Sequence, residues 1–298
     1  MKLLLSFVLL GALHQWAAAN KILFDGRIPL WTKNETLDAS ADPFLTAVKG
    51  RSYPATHYSG FLGKHFHPTP LWNGSPEQVI SIRIDNTSVF IPGNGTGVPQ
   101  SGFRRTELIA QRNGSASNAD RVMESGVTRF HFSIKADQRW PLNYTHEYQV
   151  VFIEPSDGSH VFGIQLGSPF TNPTGILPAP YARWFKVLDH NLNVLFKTPF
   201  TTDVWHNFAI RVDWENRTLQ VLYSIESRRL ASVTEVVSNP TVPLGDAGKG
   251  DFHVGLLKLP LVNPADSPAN QGDVVHYGLQ EGTVEGLLYS GIFVERIS

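Results

Sequence analysis

The sequence predicts an all-β protein, a β-sandwich or jelly roll with an open substrate groove on the concave sheet. Ten short segments alternate apolar and polar residues, turns rich in Gly, Pro and Asn separate them, and no long amphipathic helix intervenes. Strands connected in this way pair antiparallel and stack as two sheets. The 25 glycines and 20 prolines are spread along the chain, with no repeat, linker or block of like charge, which predicts one domain over residues 20–298.

Residues 1–19 carry a lone Lys2, the apolar run Leu3 to Leu10 and a closing Ala17-Ala18-Ala19, the pattern of a secretory signal cut before Asn20. The run is too short to span a bilayer, and no later segment is apolar enough to do so. A secreted, extracellular protein with no membrane partner follows. Seven Asn-X-Ser/Thr sequons, at Asn34, Asn73, Asn86, Asn94, Asn113, Asn143 and Asn216, are expected to be glycosylated at the surface. The chain has no cysteine, so no disulfide framework stabilises it and a large core must. About 279 residues suffice, because a domain of that size buries roughly three quarters of its unfolded surface.

The strands are predicted at Gln78–Ile84, Phe103–Gln111, Thr128–Ala136, Glu147–Glu154, His160–Leu166, Ala182–Leu188, Trp205–Asp213, Thr218–Ser224, Phe252–Leu257 and Gly286–Arg296. In Thr128–Ala136 the inward set is Phe130, Phe132 and Ile134, with polar residues between them. Two irregular regions, Asp38–Glu77 and Pro240–Gly250 with Pro260–Gly286, exceed ordinary connections and are expected to wall the groove.

Removing Lys2 leaves 24 basic and 26 acidic side chains, a net charge of −2. That balance argues against nucleic acid or an anionic membrane as partner and favours an uncharged ligand. Two strand carboxylates then stand out. Arg105, Glu107, Ile109 and Gln111 share one strand face, so Arg105 holds Glu107 and lowers its pKa, as suits a base or nucleophile. Glu147 shares a face with Gln149 at the margin of a buried strand, where desolvation favours the protonated form and an acid role. A solvated ion pair and a strand-end carboxylate are the structural alternatives.

Two such carboxylates across a groove are the equipment for cleaving a glycosidic bond, about 6.5–9.5 Å apart for inversion and about 5–5.5 Å for retention. Gln165, flanked by Gly163 and Gly167, is a candidate ligand contact, or else marks a bulge. Trp72, Trp140 and Tyr277 lie in loop contexts and are the first candidates for stacking on sugar rings. His206 sits on an apolar face and reads as a core histidine. His57, His65 and His67 crowd one loop without a supporting carboxylate set, so no metal and no cofactor is expected.

Four blocks together resemble glycoside hydrolase family 131, a group of secreted fungal β-glucanases: Ile22-Leu23-Phe24-Asp25-Gly26-Arg27, Phe103-Arg104-Arg105-Thr106-Glu107-Leu108, His146-Glu147-Tyr148-Gln149, and Tyr289-Ser290-Gly291-Ile292-Phe293-Val294-Glu295. The resemblance runs from about Lys21 to the C-terminus. It implies a jelly roll acting on β-glucan polysaccharides or oligosaccharides with β-1,3, β-1,6 and β-1,4 linkages by inversion, with Glu107 and Glu147 as the catalytic pair, and a monomer is expected. Arg105-Thr106-Glu107-Leu108 also resembles a strand of jelly-roll polysaccharide lyases, which act on uronic-acid polymers, and a glucan-binding lectin would share the sandwich.

Overall fold

The computed structural model describes residues 21–72, 76–170 and 176–297. The leader at 1–19 and the sequon at Asn73 lie outside them. The described residues form two antiparallel sheets. The first contains β1 (Lys21–Asp25), β3 (Ser59–Phe61), β4 (Ile80–Ile84), β6 (Val127–Ala136), β11 (His206–Asp213), β12 (Thr218–Ile225), β13 (Ala231–Ser232), β14 (Val237–Ser238) and β16 (Glu285–Arg296). The second, which carries the site, contains β2 (Phe44–Leu45), β5 (Arg104–Ala110), β7 (Glu147–Pro155), β8 (Phe162–Gly167), β9 (Trp184–Asp189), β10 (Val194–Pro199) and β15 (Gly250–Lys258). Its order is β10-β9-β8-β7-β15-β5-β2, with β15 wedged between the two strands that bear the predicted glutamates.

All ten predicted strands are present within two residues of their expected ends. The alternation of β6 is realised, with Phe130, Phe132 and Ile134 fully buried between the sheets. Phe130 meets Phe252 of β15 edge-on at 5.0 Å between ring centroids, and Phe208 of β11 meets Phe185 of β9 at 5.2 Å. These contacts cross from sheet to sheet within one continuous hydrophobic cluster. Each fully buried aromatic side chain contributes on the order of 2–3 kcal/mol, so a core of this size stands in for absent disulfides. The longest described helix, α1 (Ala116–Met123), only plugs one end of the core with Ala119 and Met123.

The irregular regions divide their work differently from the sequence expectation. Most of Asp38–Glu77 covers the outer face of the first sheet, where the Thr69 hydroxyl donates to Asn207 at 2.6 Å and Trp205 donates to the His67 carbonyl at 3.1 Å. Its 43–48 piece runs along β5 of the second sheet, pairing at Phe44–Leu45, with the Pro43 carbonyl receiving the Gln111 amide and the Val48 carbonyl the amide of Glu107 itself, both at 2.9 Å. The segment after β15 does border the site: Pro260, Leu261 and Leu279 line a small cavity that also reaches Glu147.

Beneath β7 and β15 lies a buried polar network. Lys258, 1% exposed, donates to Glu285 at 2.7 Å and to Glu281. Glu285 accepts from the Tyr148 hydroxyl, and Glu281 binds His146 at 2.9 Å. An unpaired carboxylate at this depth is costly, so the lysine is a structural requirement. Lys258→Ala should lower the unfolding free energy by about 3–5 kcal/mol in urea titrations, the usual cost of stranding a buried charge. A loss under 1 kcal/mol would show that water replaces the lysine.

Candidate active site

The register of the second sheet places the site residues in rows. Arg105 lies opposite Leu257, Leu257 opposite Gln149, Gln149 opposite Gln165, and Gln165 opposite Lys186. One step further along, Glu107 lies opposite Gly255, and beyond that Ile109, His253, Phe152 and Gly163 form a row. Directly opposed residues in an antiparallel ladder share a face. Glu147 lies opposite Gly167, at the other end of the face.

The odd step from Gln149 to Phe152 follows from irregularities in the pairing, between Gln149 and Val151 on β7 and between Val254 and Leu257 on β15. An extra residue of this kind resets which side chains face out. Without it Phe152 and Glu154 would point into the core.

Arg105 meets Glu107 in a two-pronged pair, Nε to Oε1 and Nη2 to Oε2, both 2.6 Å. His253 Nδ1 lies 2.7 Å from Oε2. The Glu107 side chain is fully enclosed. Burial alone would raise its pKa, but the Arg105 charge and the His253 and Arg105 hydrogen bonds overcome it and hold the carboxyl at about 2. As Glu107 is therefore an acceptor only, His253 carries its proton on Nδ1, and Nε2 turns toward Glu154 Oε2 at 3.8 Å. Arg105 Nη2 is 3.6 Å from the same carboxylate, which is 28% exposed. Glu107 thus reaches the open face through His253, and neither His253 nor Glu154 was marked by the sequence.

Gly255 makes this packing possible. A Cβ there would sit 2.4 Å from the Thr106 carbonyl oxygen and 2.7 Å from Glu107 Cγ. Below it, the Tyr289 hydroxyl of β16 donates to the Gly255 carbonyl, tying the site strand to the opposite sheet.

Glu147 lines a groove of about 440 Å³ with Gln149, Gln165, His160, Lys186 and Phe170. Its Oε1 accepts from Gln149 Nε2 at 2.9 Å and its Oε2 from the Phe170 amide at 2.7 Å. Gly163 keeps the groove floor low. Lys186 donates to the Gly167 carbonyl at 2.9 Å, and burial lowers its pKa. Burial and the nearby His253 likewise bring His160 down to about 4. The rings of His253, Phe152 and His160 stack in series, 4.8 and 4.2 Å apart, and brace the floor.

Trp72 and Trp140 are not groove residues. Trp72 stands edge-on to His131 and Phe293 on the outer face of the first sheet, because the covering segment carries it there. Trp140 lines a separate cavity with Tyr144, Arg183 and Phe200. Tyr277, 41% exposed, follows Val275, whose carbonyl receives the Gly102 amide just before β5. Asn34, Asn86, Asn94, Asn113 and Asn216 are exposed, whereas Asn143 is half-buried and donates its side-chain amide to Glu281 at 2.7 Å. His206 is a core histidine bonded to Tyr223 at 2.7 Å. His57 binds Asp85 at 2.7 Å.

The ligand atoms of Glu107, Glu154 and His253 lie within 4.8 Å of one another, close enough for a cation. Arg105 already fills both Glu107 oxygens and supplies the positive charge that a metal would bring. The group fits an ion-pair network better than a metal centre.

A groove on a jelly-roll sheet, lined by one carboxylate and backed by a second ionised one, is compatible with a glycan-cleaving site, and the family match makes the chain a glycoside hydrolase, whose substrate is a glycan. The model of the glycoside hydrolase 131 catalytic N-terminal domain matches residues 22–298, and the chain belongs to that family. Among solved structures, the catalytic domain of a GH131 beta-glucanase from Podospora anserina is 24% identical, with a TM-score of 0.68 over 93% of this chain and 97% of that one. The family 131 catalytic domain from Coprinopsis cinerea is 23% identical, with a TM-score of 0.66 over 93% and 95%. No curated protein matches.

The depressed carboxyl fixes an acid limit. The stabilisation from Glu107 is complete above its unfolded value of about 4.5 and is lost as pH falls through about 2. Melting temperatures from pH 6 to pH 2 should fall for the native chain across that window. Glu107→Gln should start lower at pH 6, with Arg105 stranded, and show a shallower acid slope; parallel slopes would place the acid sensitivity elsewhere.

Proposed function

We propose that the chain is a secreted β-glucanase that cleaves β-1,3/1,6 and β-1,4 linkages with inversion. The observation that carries this is the shared open face: Glu147 in the groove, and the Glu107–His253 pair on the same side of the same sheet. The two solved relatives of this fold support the family's chemistry, one of them described as a beta-glucanase.

Glu147 acts as the acid that protonates the glycosidic oxygen. Gln149 serves either protonation state, because its amide donates from Nε2 to the carboxylate or, turned over, accepts at Oε1 from the acid. Water attacks the anomeric carbon from the opposite side and gives its proton to His253 Nε2. The Glu107 carboxylate, held by Arg105, stabilises the imidazolium that forms. β15 separates the glutamate strands, and the two glutamates lie level with different residues of it, so the enclosed Glu107 acts on the water through His253 rather than as a direct nucleophile. An uncharged glucan suits a chain whose net charge is only −1.

Digestion of laminarin, pustulan, a soluble cellulose derivative, glucuronan and alginate tests the reading. New reducing ends from glucans, with the product first appearing as the inverted α-anomer by NMR, are expected. Ultraviolet absorbance from unsaturated uronate products would replace the hydrolase by a lyase, and retained binding without cleavage would indicate a lectin. Glu147→Gln should lower kcat by about 10²–10⁴ with unchanged melting temperature, and His253→Ala should lower kcat as much but with a lower melting temperature, because it also removes a buried ring and a hydrogen bond to Glu107. Full activity in either variant removes that residue from the mechanism.

A further inference from the structure

The groove that holds Glu147 is bordered on β9 by Lys186 and Leu188 and reaches the β9–β10 turn, and at the other end of β9, level with Glu147, stand two aromatic residues that the sequence did not mark. Period-2 alternation places Trp184, Lys186 and Leu188 on the open face of β9, with Phe185 and Val187 buried in the core. Lys186 and Leu188 already line the groove, so Trp184 is the next outward side chain on that strand. Tyr181 stands beside it, ring centroids 5.0 Å apart and nearly perpendicular at 76°.

The pair is built rather than incidental. Tyr181 is 51% exposed and has a φ of 61°, a left-handed backbone that is unfavourable for a residue with a Cβ and that recurs at ligand sites. The Trp184 amide donates to the Tyr181 carbonyl at 3.0 Å, closing the turn that presents both rings. Lys197 of β10 lies over one face of the Tyr181 ring, Nζ 3.8 Å from its centroid, and sets a donor 5.9 Å from the Trp184 ring. On β8, between the two strands, Glu147 faces Gly167, which has no side chain, and the loop after β8 borders this stretch through the Phe170 amide that donates to Glu147. The Ala182 carbonyl, which receives the Gly167 amide at 2.8 Å, locks the Tyr181–Trp184 turn to β8.

We propose that Tyr181 and Trp184 form a remote sugar-binding subsite that stacks on a pyranose ring of the glucan chain, away from the bond being cleaved. This rests on the reading of the chain as a glucan hydrolase. β9 lies two strands from β7, so the rings sit roughly 10 Å from Glu147 across the sheet, about the span of two linked sugars. The apolar C–H faces of a glucosyl ring meet the π faces while Lys197 meets its hydroxyls. The substrate class selected is a chain long enough to reach both places at once.

The test is the dependence of kcat/KM on chain length, using laminari- and cello-oligosaccharides of two to six units on the native chain, Trp184→Ala and Tyr181→Ala. The native chain should gain in kcat/KM, mainly through KM, once the substrate is long enough to bridge. Either variant should lose about tenfold on hexasaccharides, the effect of one good ring contact, and less than twofold on disaccharides. Tyr181→Ala, at an exposed position, covers the case in which Trp184→Ala does not fold, and Trp184→Phe should restore most of the loss. An equal loss at every length, or none at any, overturns the subsite even if the enzyme cleaves glucan. No cleavage of any glucan by the native chain overturns the hydrolase reading instead, and unaltered retention of the variants on glucan affinity gels would then overturn the subsite as well.

Discussion

The site is organised by one buried ion pair. Arg105 and Glu107 are near neighbours on one strand face, both side chains are enclosed, and an isolated charge there would cost several kcal/mol. Each is acceptable only because the other is two hydrogen bonds away, with His253 taking a further lone pair. That requirement extends outward. Gly255 must lack a side chain for the carboxylate to lie down, and Tyr289 must hold the Gly255 carbonyl from the opposite sheet. The geometry of this network and the packing of the core are therefore one problem in this protein.

Glu147 is held by a different device. Its oxygens receive one bond from a side-chain amide on its own strand and one from the backbone of the loop after β8. One carboxylate is fixed by charge and the other by neutral donors, although they share a sheet. The difference separates the two environments: the ionised Glu107 reaches the groove only through the His253 imidazole, whereas Glu147 stands in the groove itself.

Much of this was legible in the sequence, and what was not has physical causes. Strict alternation located the strands, put Arg105 beside Glu107 and set Gln149 beside Glu147, because period-2 geometry needs no tertiary information. Glu154 was hidden by the β7 irregularity, which shifts it to the open face against the count from Glu147. His253 was hidden because a histidine in an apolar strand reads as core, and only the pairing of β15 with β5 brings it to Glu107. The aromatic choices failed for a related reason. Trp72 and Trp140 lie in loops, as a groove residue often does, but which sheet a loop covers is decided by packing across hundreds of residues of chain.

The borders of the two sheets carry a further consequence. The site sheet ends in a two-residue strand on one side, and on the other in β10, which contains Lys197 and closes with Pro199; the first sheet ends in the three-residue β3 and the two-residue β13. Among the described residues three of these rims are two or three residues long, and the six-residue β10 carries Lys197 and ends at Pro199, features that hinder another chain from lengthening the sheet. Resistance to fibrous self-association is thereby written into the outline of the molecule, a useful property for a cysteine-free β protein that must persist without cross-links.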